Sequence, residues 1–540
     1  MIGPAVVVGA VTGLGVALFD RVVAVGLFGR ILRAPLAVQV VVPGVGLALA
    51  LICLRYLAAG ASSSTADAYI ENFHQRDRWM DLRPVVGRLL ASAFTLGTGN
   101  AMGFEGPSIY LGASIGSAVE ERATRWISRD DAKVLMVAGA AAGVAAIFKA
   151  PATGALFALE VPYQADLARR MLLPALFSAA AGYLVFVAIN GTAPLFPTGG
   201  SPQLDLRDLA GAVAIGLVAG AAARSFAWFV LLAKHRSVGI HPVLRVTGAG
   251  VAIGGLILVS KALTGETLAF GPGYRTIAWA QDPHHAIGLV LGMFVVRWAA
   301  TVVAVGGGGV GGLFIPLVIE GALLGRIAGG LVGLPGSTLF PVLGVAAFLG
   351  AGYRVPLAAV VFVAESTGKP GFVVPGLIAA AASQLTMGPR SVSPYQRERQ
   401  PGHIEGRLEI SIGEILDVGA SFVPPDLSVA ELVDRRLLGA RSRQVPVVDG
   451  TTYIGMIGLG EITAVDRWQW DATDVGALVD RTPPALPLDA TIREALAIIG
   501  DHDLDRVAIT DGGAYVGVVT EREIMSLDAI LGGPGDDARP

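Results

Sequence analysis

Long apolar runs, broken repeatedly by glycine and proline, limit what this chain can fold into more than any other feature. Several are close to the length of about 20 residues that a helix needs to span a bilayer. Interrupted runs are tolerated at membrane depth only where protein buries them or they line a cavity. The pattern predicts an α-helical polytopic membrane protein with an internal pathway across the lipid bilayer. The runs occupy 1–54, 84–118, 132–160, 171–191, 207–233, 242–264, 285–305, 313–334, 338–364 and 371–386.

Composition divides the chain into two modules. Hydrophobic residues make up 53% of the sequence and charged residues only 15%, whereas about a quarter of a soluble protein is charged. From residue 401 onward there are 24 acidic and 11 basic side chains, a net charge of −13, while the whole chain carries −3. We therefore expect a basic membrane module at 1–400 followed by an acidic soluble module. The acidic balance argues against nucleic-acid binding.

The first apolar run is expected to remain in the protein. It has neither the basic stretch nor the small-residue cleavage site of a signal peptide. Gly9 and Gly13, four residues apart, are typical of a transmembrane helix that packs closely against another. We therefore interpret this run as a retained membrane span.

An internal repeat lies within the membrane module. The proline, glycine and alanine spacing of 107–116 returns unchanged in 316–325, an offset of 209 residues. A second block, 139–160, matches 344–365 at an offset of 205 residues. Two blocks at nearly one offset indicate a duplicated module, which is the pattern expected of transporters built from repeated halves.

Four charged residues repeat within the second block. Lys149 and Arg354 hold equivalent positions, and so do Glu160 and Glu365. The two cations could attract anions electrostatically. We expect them instead to pair with the two carboxylates and hold the fold.

A different repeat, with a spacing of about 62 residues, occupies the acidic module. The stretch 423–432 recurs as 486–495. Each unit has a helix start, an apolar helix, a buried strand, an Asp-Gly turn and a second strand. This order resembles the cystathionine-β-synthase (CBS) repeat, which pairs into a small α/β module. The resemblance implies CBS repeats at 408–466 and 472–530.

The pentapeptide Gly103-Phe104-Glu105-Gly106-Pro107 places a carboxylate immediately before an apolar helix. Pro107 suits the first helical turn, where its missing N–H costs nothing. The free N–H groups and the positive dipole end of such a helix form an anion site. Glu105 can occupy that site until a permeant ion displaces it or a proton neutralises it, and ionisable groups inside membranes are usually functional. The alternative is a loop glutamate satisfied by backbone amides.

A second helix start lies at 306–316, where a glycine-rich run leads into Leu313-Phe314-Ile315-Pro316. No carboxylate is present in it, so its amides are free for a diffusible anion. A glycine-rich run alone is usually only a flexible loop. The repeat relation of this segment to the first favours a second anion site.

These segments resemble the ClC family of chloride channels and chloride–proton exchangers. The family pattern Gly-(Arg/Lys)-Glu-Gly-Pro matches 103–107 except at Phe104, and the pattern Gly-x-Phe-x-Pro matches 312–316 fully. The resemblance covers roughly residues 1–400. It implies a ClC-like fold of two inverted repeats with a C-terminal cytoplasmic CBS pair, a homodimer with one anion pathway per subunit, and a location in the plasma membrane.

The resemblance also implies roles for the motif residues. Glu105 resembles the external gating glutamate, and Phe104 and Gly106 flank it in the same anion-binding motif. Leu313 and Phe314 resemble the residues whose amides hold the central anion.

Two further positions resemble anion ligands of the family. Tyr395 resembles the tyrosine whose hydroxyl reaches the central ion, with an interfacial aromatic anchor as the alternative. Ser63 is the best match to the anion-binding serine, although Ser62 or Ser64 could serve because the proline of the family motif is missing. The alternative here is a serine-rich helix cap. Since serine at this position favours chloride and proline favours nitrate in the family, chloride is the expected permeant ion.

Val161 bears on whether transport is coupled to protons. By resemblance, Glu160 matches a structural glutamate and Val161 matches the internal glutamate that hands protons on in the exchangers. Valine cannot carry a proton, and the passive channels of the family also have valine there. This favours a voltage-gated chloride channel regulated by its CBS domains. The alternative is a proton-coupled antiporter of chloride or another small anion, because some prokaryotic exchangers lack this glutamate.

The second CBS repeat keeps part of a nucleotide-binding pattern. Such repeats usually end in Gly-x-x-Thr-x-x-Asp, whose Thr and Asp contact an adenine nucleotide. The second repeat has Thr520 and Glu523 at these positions, whereas the first repeat lacks the threonine. One nucleotide site is therefore plausible, with a purely structural dimerisation module as the alternative.

A membrane-bound enzyme or sensor is the alternative from another class. It would need a nucleophile–base set or metal ligands within the bilayer. The seven histidines include no HExxH motif, no GxSxG lies between a strand and a helix, and Cys53 is the only cysteine. We therefore expect no catalytic site, no metal site and no required cofactor.

Overall fold

Helices account for nearly all of the secondary structure in the first 400 residues of the computed structural model. The chain forms two units, Met1–Gln400 and Pro401–Pro540. The structure describes residues 1–75, 79–122, 133–193, 196, 206–398, 411–414, 416–418, 422–434, 444–502, 504–521 and 523–524.

The first half of the membrane unit opens with one long helical stretch. It consists of α1 (Ile2–Phe19), a π-helical segment (Asp20–Phe28) and α2 (Gly29–Leu32). The helices that follow in this half are α3 (Leu36–Tyr56), α4 (Thr65–His74), α5 (Val85–Gly97), α6 (Glu105–Arg122), α7 (Val134–Phe148), α8 (Pro151–Glu160) and α9 (Leu172–Asn190).

The second half of the unit again combines long helices with short ones. Its helices are α10 (Leu206–Val238), α11 (Pro242–Thr264), α12 (Tyr274–Ala280), α13 (Ile287–Gly306), α14 (Phe314–Leu331), α15 (Leu339–Gly352), α16 (Pro356–Thr367) and α17 (Val373–Met387).

Eight helical stretches among the described residues have the length and hydropathy of membrane spans. Large apolar side chains project outward from several of them, as Val22, Leu244 and Val251 do with 68%, 69% and 73% exposure. Aliphatic side chains so exposed are expected on a surface that faces lipid. By contrast, every residue of the short helix α7 is buried. The unit therefore has the construction of a multi-pass membrane protein, with its interrupted helices inside.

Glycine allows the same close helix crossing in both halves. A methyl group added to Gly112 of α6 or to Gly139 of α7 would lie closer than 3.0 Å to the carbonyl oxygen of the other glycine. Gly321 of α14 and Gly344 of α15 have the same relation. These are the glycines that the sequence repeat aligns, so the duplication predicted from spacing is also a duplication of packing.

The C-terminal unit contains a small sheet flanked by short helices. Its strands follow the order β2-β3-β6-β5-β4, and β1 pairs with β6. Neighbouring strands are antiparallel except β4 and β5, which are parallel. The elements are β1 (Asp417–Val418), α18 (Val429–Leu432), β2 (Gln444–Asp449), β3 (Thr452–Gly458), α19 (Leu459–Thr463), α20 (Val475–Leu478), β4 (Leu486–Pro487), α21 (Ile492–Asp501), β5 (Arg506–Asp511) and β6 (Ala514–Thr520).

Two hydrophobic cores underlie this sheet, one for each repeat. The first contains Val447 and Ile457, and the second contains Val507 and Ile492. Val475 packs in the first core and Ile412 packs in the second. Each core therefore includes a residue from a segment that adjoins the other repeat in the chain. The bounds expected for the two repeats, 408–466 and 472–530, stay a prediction.

Candidate anion-binding site

The two halves of the membrane unit meet at their matching glycines. Gly103 and Gly312 form an isolated antiparallel bridge. The Gly103 N–H donates to the Gly312 carbonyl at 2.9 Å, and the Gly312 N–H donates to the Gly103 carbonyl at 2.8 Å. This reciprocal pair brings the start of α6 beside the start of α14, so two helix N-termini converge on one point.

Glu105 occupies this point. It is the first residue of α6 and is 1% exposed. Its Oε1 accepts a hydrogen bond from the Phe314 N–H at 2.5 Å, whereas its Oε2 has no partner among the described residues. A methyl group added to Gly103 or Gly312 would collide with the carboxylate. The glycines therefore leave just enough room for a tethered anion at the N-terminus of α14.

Aromatic rings surround the side chain of Phe314, the residue whose amide Glu105 contacts. The Phe314 ring lies 4.3 Å from the Phe148 ring, 4.8 Å from the Phe362 ring and 5.2 Å from the Phe157 ring, measured between centroids. All four side chains are buried. Because Glu105 and Phe314 are both buried, the interaction between an anion and the helix terminus is stronger here than it would be in solvent.

A small pocket opens beside Leu313, next to this helix start. Its free volume is about 20 Å³, room for one water-sized particle. Ser63 and Thr65 contribute hydroxyl groups, and the Thr65 Oγ1 is buried without a hydrogen-bond partner in the described part of the chain. The pocket is lined by Ser63, Ser64, Thr65, Ala66, Asp67, Met102, Lys234, Val305, Gly309, Gly311, Leu313 and Tyr353.

An ion pair forms part of the pocket wall. Lys234 Nζ of α10 donates to Asp67 Oδ2 of α4 at 2.7 Å. The Lys234 side chain is 24% exposed and the Asp67 side chain 9%. Lys234 can attract an anion into the pocket, and the Asp67 carboxylate competes with that anion for the ammonium group.

The structure brings some of the predicted site residues together. Ser63 and Leu313 line the pocket. Gly106 lies against the Thr65 hydroxyl and the Gly312 amide, where a Cβ would be too close to both. Phe104 is buried against the ring of Phe19 at 6.3 Å and does not line the pocket.

Tyr395 is not brought to the pocket. Its side chain is 44% exposed, and the tyrosine that lines the pocket is Tyr353. Tyr353 immediately precedes Arg354 in the repeated block and aligns with Phe148 of the first half. The repeat alignment could have pointed to Tyr353 from the sequence alone. Asp67 and Lys234 belong to no motif, so nothing in the sequence indicated them.

The repeated carboxylates cap helices of the opposite half. Glu160 accepts hydrogen bonds from the Leu357 and Ala358 N–H groups at 3.1 and 2.9 Å, at the start of α16. Glu365 accepts from the Ala152 and Thr153 N–H groups at 2.9 and 2.8 Å, at the start of α8. Each carboxylate satisfies two of the amides that a helix start leaves open.

The predicted pairing of these carboxylates with the repeated cations was therefore wrong. Lys149 Nζ donates to the Ala193 carbonyl at 3.1 Å, and Arg354 Nε donates to the Gln164 carbonyl at 3.2 Å. Both cations have positive φ angles, 53° and 56°. They end the preceding helix in a left-handed turn and direct their charges to backbone carbonyls.

Val161 lies at the end of α8 and is 2% exposed. Its carbonyl accepts a hydrogen bond from Gln396 Nε2 at 2.7 Å. The side chain at this position is thus aliphatic and buried, with no atom that can take a proton.

In the C-terminal unit, Thr520 and Glu523 bind each other. The Thr520 N–H and Oγ1 donate to Glu523 Oε2 at 2.8 and 2.9 Å, and the Glu523 N–H donates to Thr520 Oγ1 at 3.1 Å. In the first repeat, Glu461 Oε2 accepts from the Gly458 N–H at 2.8 Å. Both glutamates hold a chain turn after a strand, which fits the structural alternative for this motif.

Comparison with known families identifies the membrane unit. The family described as voltage gated chloride channel matches residues 44–388, more than half of the chain. The chain belongs to this family. A CBS domain also matches residues 475–529. The resemblance to ClC proteins with C-terminal CBS domains is therefore confirmed.

Curated relatives of this ClC chain include proteins named as exchangers. The H(+)/Cl(-) exchange transporter ClcA of Salmonella paratyphi A is 28% identical over 317 residues, which cover 57% of this chain and 66% of that protein. The protein of the same name from Citrobacter koseri is 29% identical over 321 residues, with the same coverage. The chain thus spans just under two thirds of the length of these relatives.

Solved structures share the ClC fold. A CLC-type fluoride/proton antiporter matches with a TM-score of 0.64 at 22% identity, covering 74% of this chain and 98% of that chain. A eukaryotic CLC transporter matches with a TM-score of 0.62 at 20% identity, covering 97% of both chains. The predicted fold class is confirmed by this agreement.

Proposed function

We propose that this chain carries chloride across a membrane, with Glu105 as the gate of the pathway. The observation that carries the proposal is the hydrogen bond from the Phe314 N–H to Glu105 Oε1 at 2.5 Å. In this arrangement the carboxylate holds the place that a diffusible anion would take at the N-terminus of α14.

Displacement of the carboxylate follows from its surroundings. One oxygen of Glu105 has no partner in the described part of the chain, so the carboxylate uses only part of its hydrogen-bonding capacity in the bound position. A chloride ion that takes over the Phe314 amide replaces one anion by another and leaves no helix amide unpaired. Protonation of Glu105 would also release it, because a neutral carboxyl gains much less from the helix dipole.

Chloride can approach this amide through the pocket at Leu313. Ser63 and Thr65 offer hydroxyl groups, and Lys234 offers a positive charge balanced by Asp67. Hydroxyl and amide groups donate hydrogen bonds, and chloride can only accept them, so these donors suit chloride. We propose Ser63, Leu313 and Phe314 as chloride ligands, with Glu105 alternating with the ion.

Passive conduction is the first candidate mechanism, as in the family description of a voltage gated chloride channel. The buried aliphatic side chain of Val161 supports it, because a proton relay through this position would need a titratable group. Proton-coupled exchange is the second candidate, and the printed names of the ClcA relatives favour it.

The proposed assembly follows the family. We place the chain in the plasma membrane as a homodimer with one pathway per subunit and the CBS pair in the cytoplasm. The CBS pair would regulate transport, and an adenine nucleotide at Thr520 and Glu523 would have to displace the hydrogen bonds that these residues make to each other.

The test uses the purified full chain in chloride-loaded liposomes, with chloride efflux and external pH recorded together. Glu105→Gln is the test variant. Glu266→Gln is the matched control, because Glu266 is exposed and paired with Arg275 away from the pocket. Chloride efflux without proton movement supports the channel. Uphill proton movement driven by chloride, and lost only in Glu105→Gln, makes the protein an antiporter. An absence of chloride flux in the wild type would overturn the proposal.

A further inference from the structure

A contact runs from the Glu105 gate to a charged part of the first helical stretch. Phe104 immediately precedes Glu105, and its ring lies 6.3 Å from the ring of Phe19. Asp20 follows Phe19 and begins the π-helical segment. Tyr274 lies within electrostatic range of both Glu105 and Asp20. Because π-helical turns are rare and are frequently found at functional sites, the surroundings of Asp20 are a place to look for one.

A second contact runs from Phe314 to Lys149. The Phe314 ring lies 4.3 Å from the ring of Phe148, which is the last residue of α7. Lys149 follows Phe148, and its positive charge acts on the Asp20 carboxylate. Glu105 and Phe314, the two residues of the gate contact, are thus both linked to the same group of charged residues.

An amide side chain joins the other members of this group. Arg21 Nε donates to Asn190 Oδ1 at 2.9 Å, and Asn190 Nδ2 donates to Asp20 Oδ2 at 3.0 Å. Lys149 Nζ donates to the Ala193 carbonyl. Among the described residues, no carboxylate forms an ion pair with Arg21 or Lys149. These four residues, Asp20, Arg21, Lys149 and Asn190, form what we call the Lys149 cluster, which holds two cations and one acid.

The Lys149 cluster is open to water. Asn190 is the last residue of α9, one of the eight candidate membrane spans, and residues 191–193 after it are exposed. All four residues of the cluster are at least partly exposed, whereas Glu105 is 1% exposed. An ion from solution can therefore reach the cluster without entering the buried gate.

The balance of charge in the cluster favours anions. Two cations against one acid give a positive potential, which raises the local concentration of anions. Asp20 opposes Lys149 as Asp67 opposes Lys234 in the pocket. The structural alternative is that the cations only satisfy backbone carbonyls near helix ends. That role would not depend on whether a neighbouring charge is positive or negative.

We propose that the Lys149 cluster draws chloride from solution toward the Glu105 gate. The proposal rests on the proposed function of Glu105 and adds an entrance to it. Lys149 and Arg21 concentrate the anion, and Asp20 weakens their attraction, so these charges set the chloride concentration at which transport is half-maximal. No residue of the cluster lines the pocket at Leu313, so cluster and pocket are two separate places.

The first test measures uptake of radioactive chloride by liposomes that contain the full chain, over a range of chloride concentrations. Lys149→Met should raise the concentration for half-maximal uptake about threefold at low ionic strength, with the maximal rate unchanged. Lys149→Arg keeps the charge and should behave as the wild type does. Raising the ionic strength with an impermeant salt, potassium gluconate, should remove the difference, because salt screens exposed charges.

Lys261→Met is the matched control for loss of a lysine. Lys261 is an exposed residue of α11 that also donates to a backbone carbonyl, that of Gly265. Its loss should leave half-maximal uptake unchanged. An equal change in Lys149→Met and Lys261→Met would overturn the proposal.

Asp20→Asn should have the opposite effect from Lys149→Met. Asparagine can still accept the hydrogen bond from Asn190, but it lacks the negative charge that opposes the two cations. Half-maximal uptake should therefore need about threefold less chloride. Misfolding could not produce such a gain. A lower maximal rate without a change in the half-maximal concentration, in either variant, would overturn the proposal.

A second measurement reports the potential at the cluster without transport. Ala193→Cys places an exposed thiol beside Lys149, and Cys53→Ala removes the only other cysteine. Compared with a free thiol in solution, this cysteine should react faster with an anionic methanethiosulfonate reagent than with a cationic one. Lys149→Met should lower that preference about threefold. Equal relative rates for the two reagents would overturn the proposal. Because labelling requires no chloride flux, failure of the cluster and failure of chloride transport are separate results.

Discussion

Two kinds of carboxylate contact join the halves of the membrane unit, and only one kind is symmetric. Glu160 of the first half caps α16 of the second, and Glu365 of the second half caps α8 of the first. Glu105 reaches α14 in the same manner, yet the residue that the repeat aligns with Glu105 is Phe314 itself. At this pair of aligned positions, the second half therefore supplies a backbone amide but no carboxylate that binds the first half.

This difference separates a structural role from a transport role. Where both halves keep the carboxylate, each helix start is permanently satisfied and the contact holds the halves together. Where only one half keeps it, a single acceptor serves a helix start that an external anion can also occupy. The unpartnered oxygen of Glu105 fits this reading, since both oxygens of Glu160 and Glu365 are bonded.

The largest expected effect is on stability, from the symmetric pair. Glu160→Leu or Glu365→Leu should each cost about 3 kcal/mol or more, because two N–H groups at a buried helix start lose their acceptor. Glu105→Ala removes only one accepted hydrogen bond and should cost about half as much, roughly 1.5 kcal/mol. Thermal unfolding of the detergent-solubilised protein compares the three variants. Equal destabilisation by Glu105→Ala would break the distinction between the two kinds of contact.

The next largest expected effect is on chloride flux, from the positive charge of Lys234 in the pocket beside the Glu105 contact. Lys234→Met should lower chloride flux about tenfold, because it removes the positive charge that concentrates anions in the pocket and leaves Asp67 uncompensated. Lys261→Met is the matched control, since Lys261 is an exposed lysine of α11 that binds the Gly265 carbonyl. Liposome efflux is the measurement. If both variants transport at the same reduced rate, Lys234 has no special role.

A smaller effect distinguishes two tyrosines. Because Tyr353 lines the pocket, we expect its hydroxyl to donate a hydrogen bond to chloride there. Tyr353→Phe should therefore weaken chloride binding by about fivefold, the equivalent of one hydrogen bond of about 1 kcal/mol. Tyr395→Phe should leave it unchanged, because the Tyr395 side chain lies outside the pocket. Chloride titration followed by calorimetry compares them. A larger effect of Tyr395→Phe would support Tyr395, the ligand expected from the family resemblance, and contradict the role given to Tyr353.

The smallest effect extends the comparison to the CBS repeats. Glu461 and Glu523 occupy matching positions and both bind backbone amides, so by the same symmetry both should be structural. Each Ala substitution should cost about 1 kcal/mol, as the loss of a helix cap does. Hydrogen exchange of the full chain, read at the adjoining helix starts, measures this. A loss of protection in only one of the two variants would show that the repeats are not equivalent.

Much of the central contact could be predicted from the sequence, because the motifs that mark its two ends are local, although the ends lie 209 residues apart. The glycines and proline around Glu105 specify a helix start, and the repeat spacing points to Phe314 as its counterpart. The pocket could not be predicted in the same way. Asp67, Lys234 and Tyr353 belong to three separate helices or helix ends, and only tertiary packing brings them together.

The repeated cations, Lys149 and Arg354, show a different limit of prediction from sequence. Equal spacing correctly identified Lys149 and Arg354 as equivalent, but it could not give their partners. Their recurrence with Glu160 and Glu365 suggested ion pairs with these carboxylates. The carboxylates instead reach across to amides of the other half, since a helix start that begins with proline still leaves further N–H groups to satisfy.

The most direct test of the account is chloride binding to the purified protein, measured by calorimetry in the wild type and in Glu105→Ala. If the carboxylate and chloride compete for the Phe314 amide, removing the carboxylate should raise chloride affinity, by about tenfold if the two anions are similarly held there. Glu266→Ala should bind chloride as the wild type does. Unchanged or weaker chloride binding in Glu105→Ala would contradict the claim that Glu105 occupies an anion site.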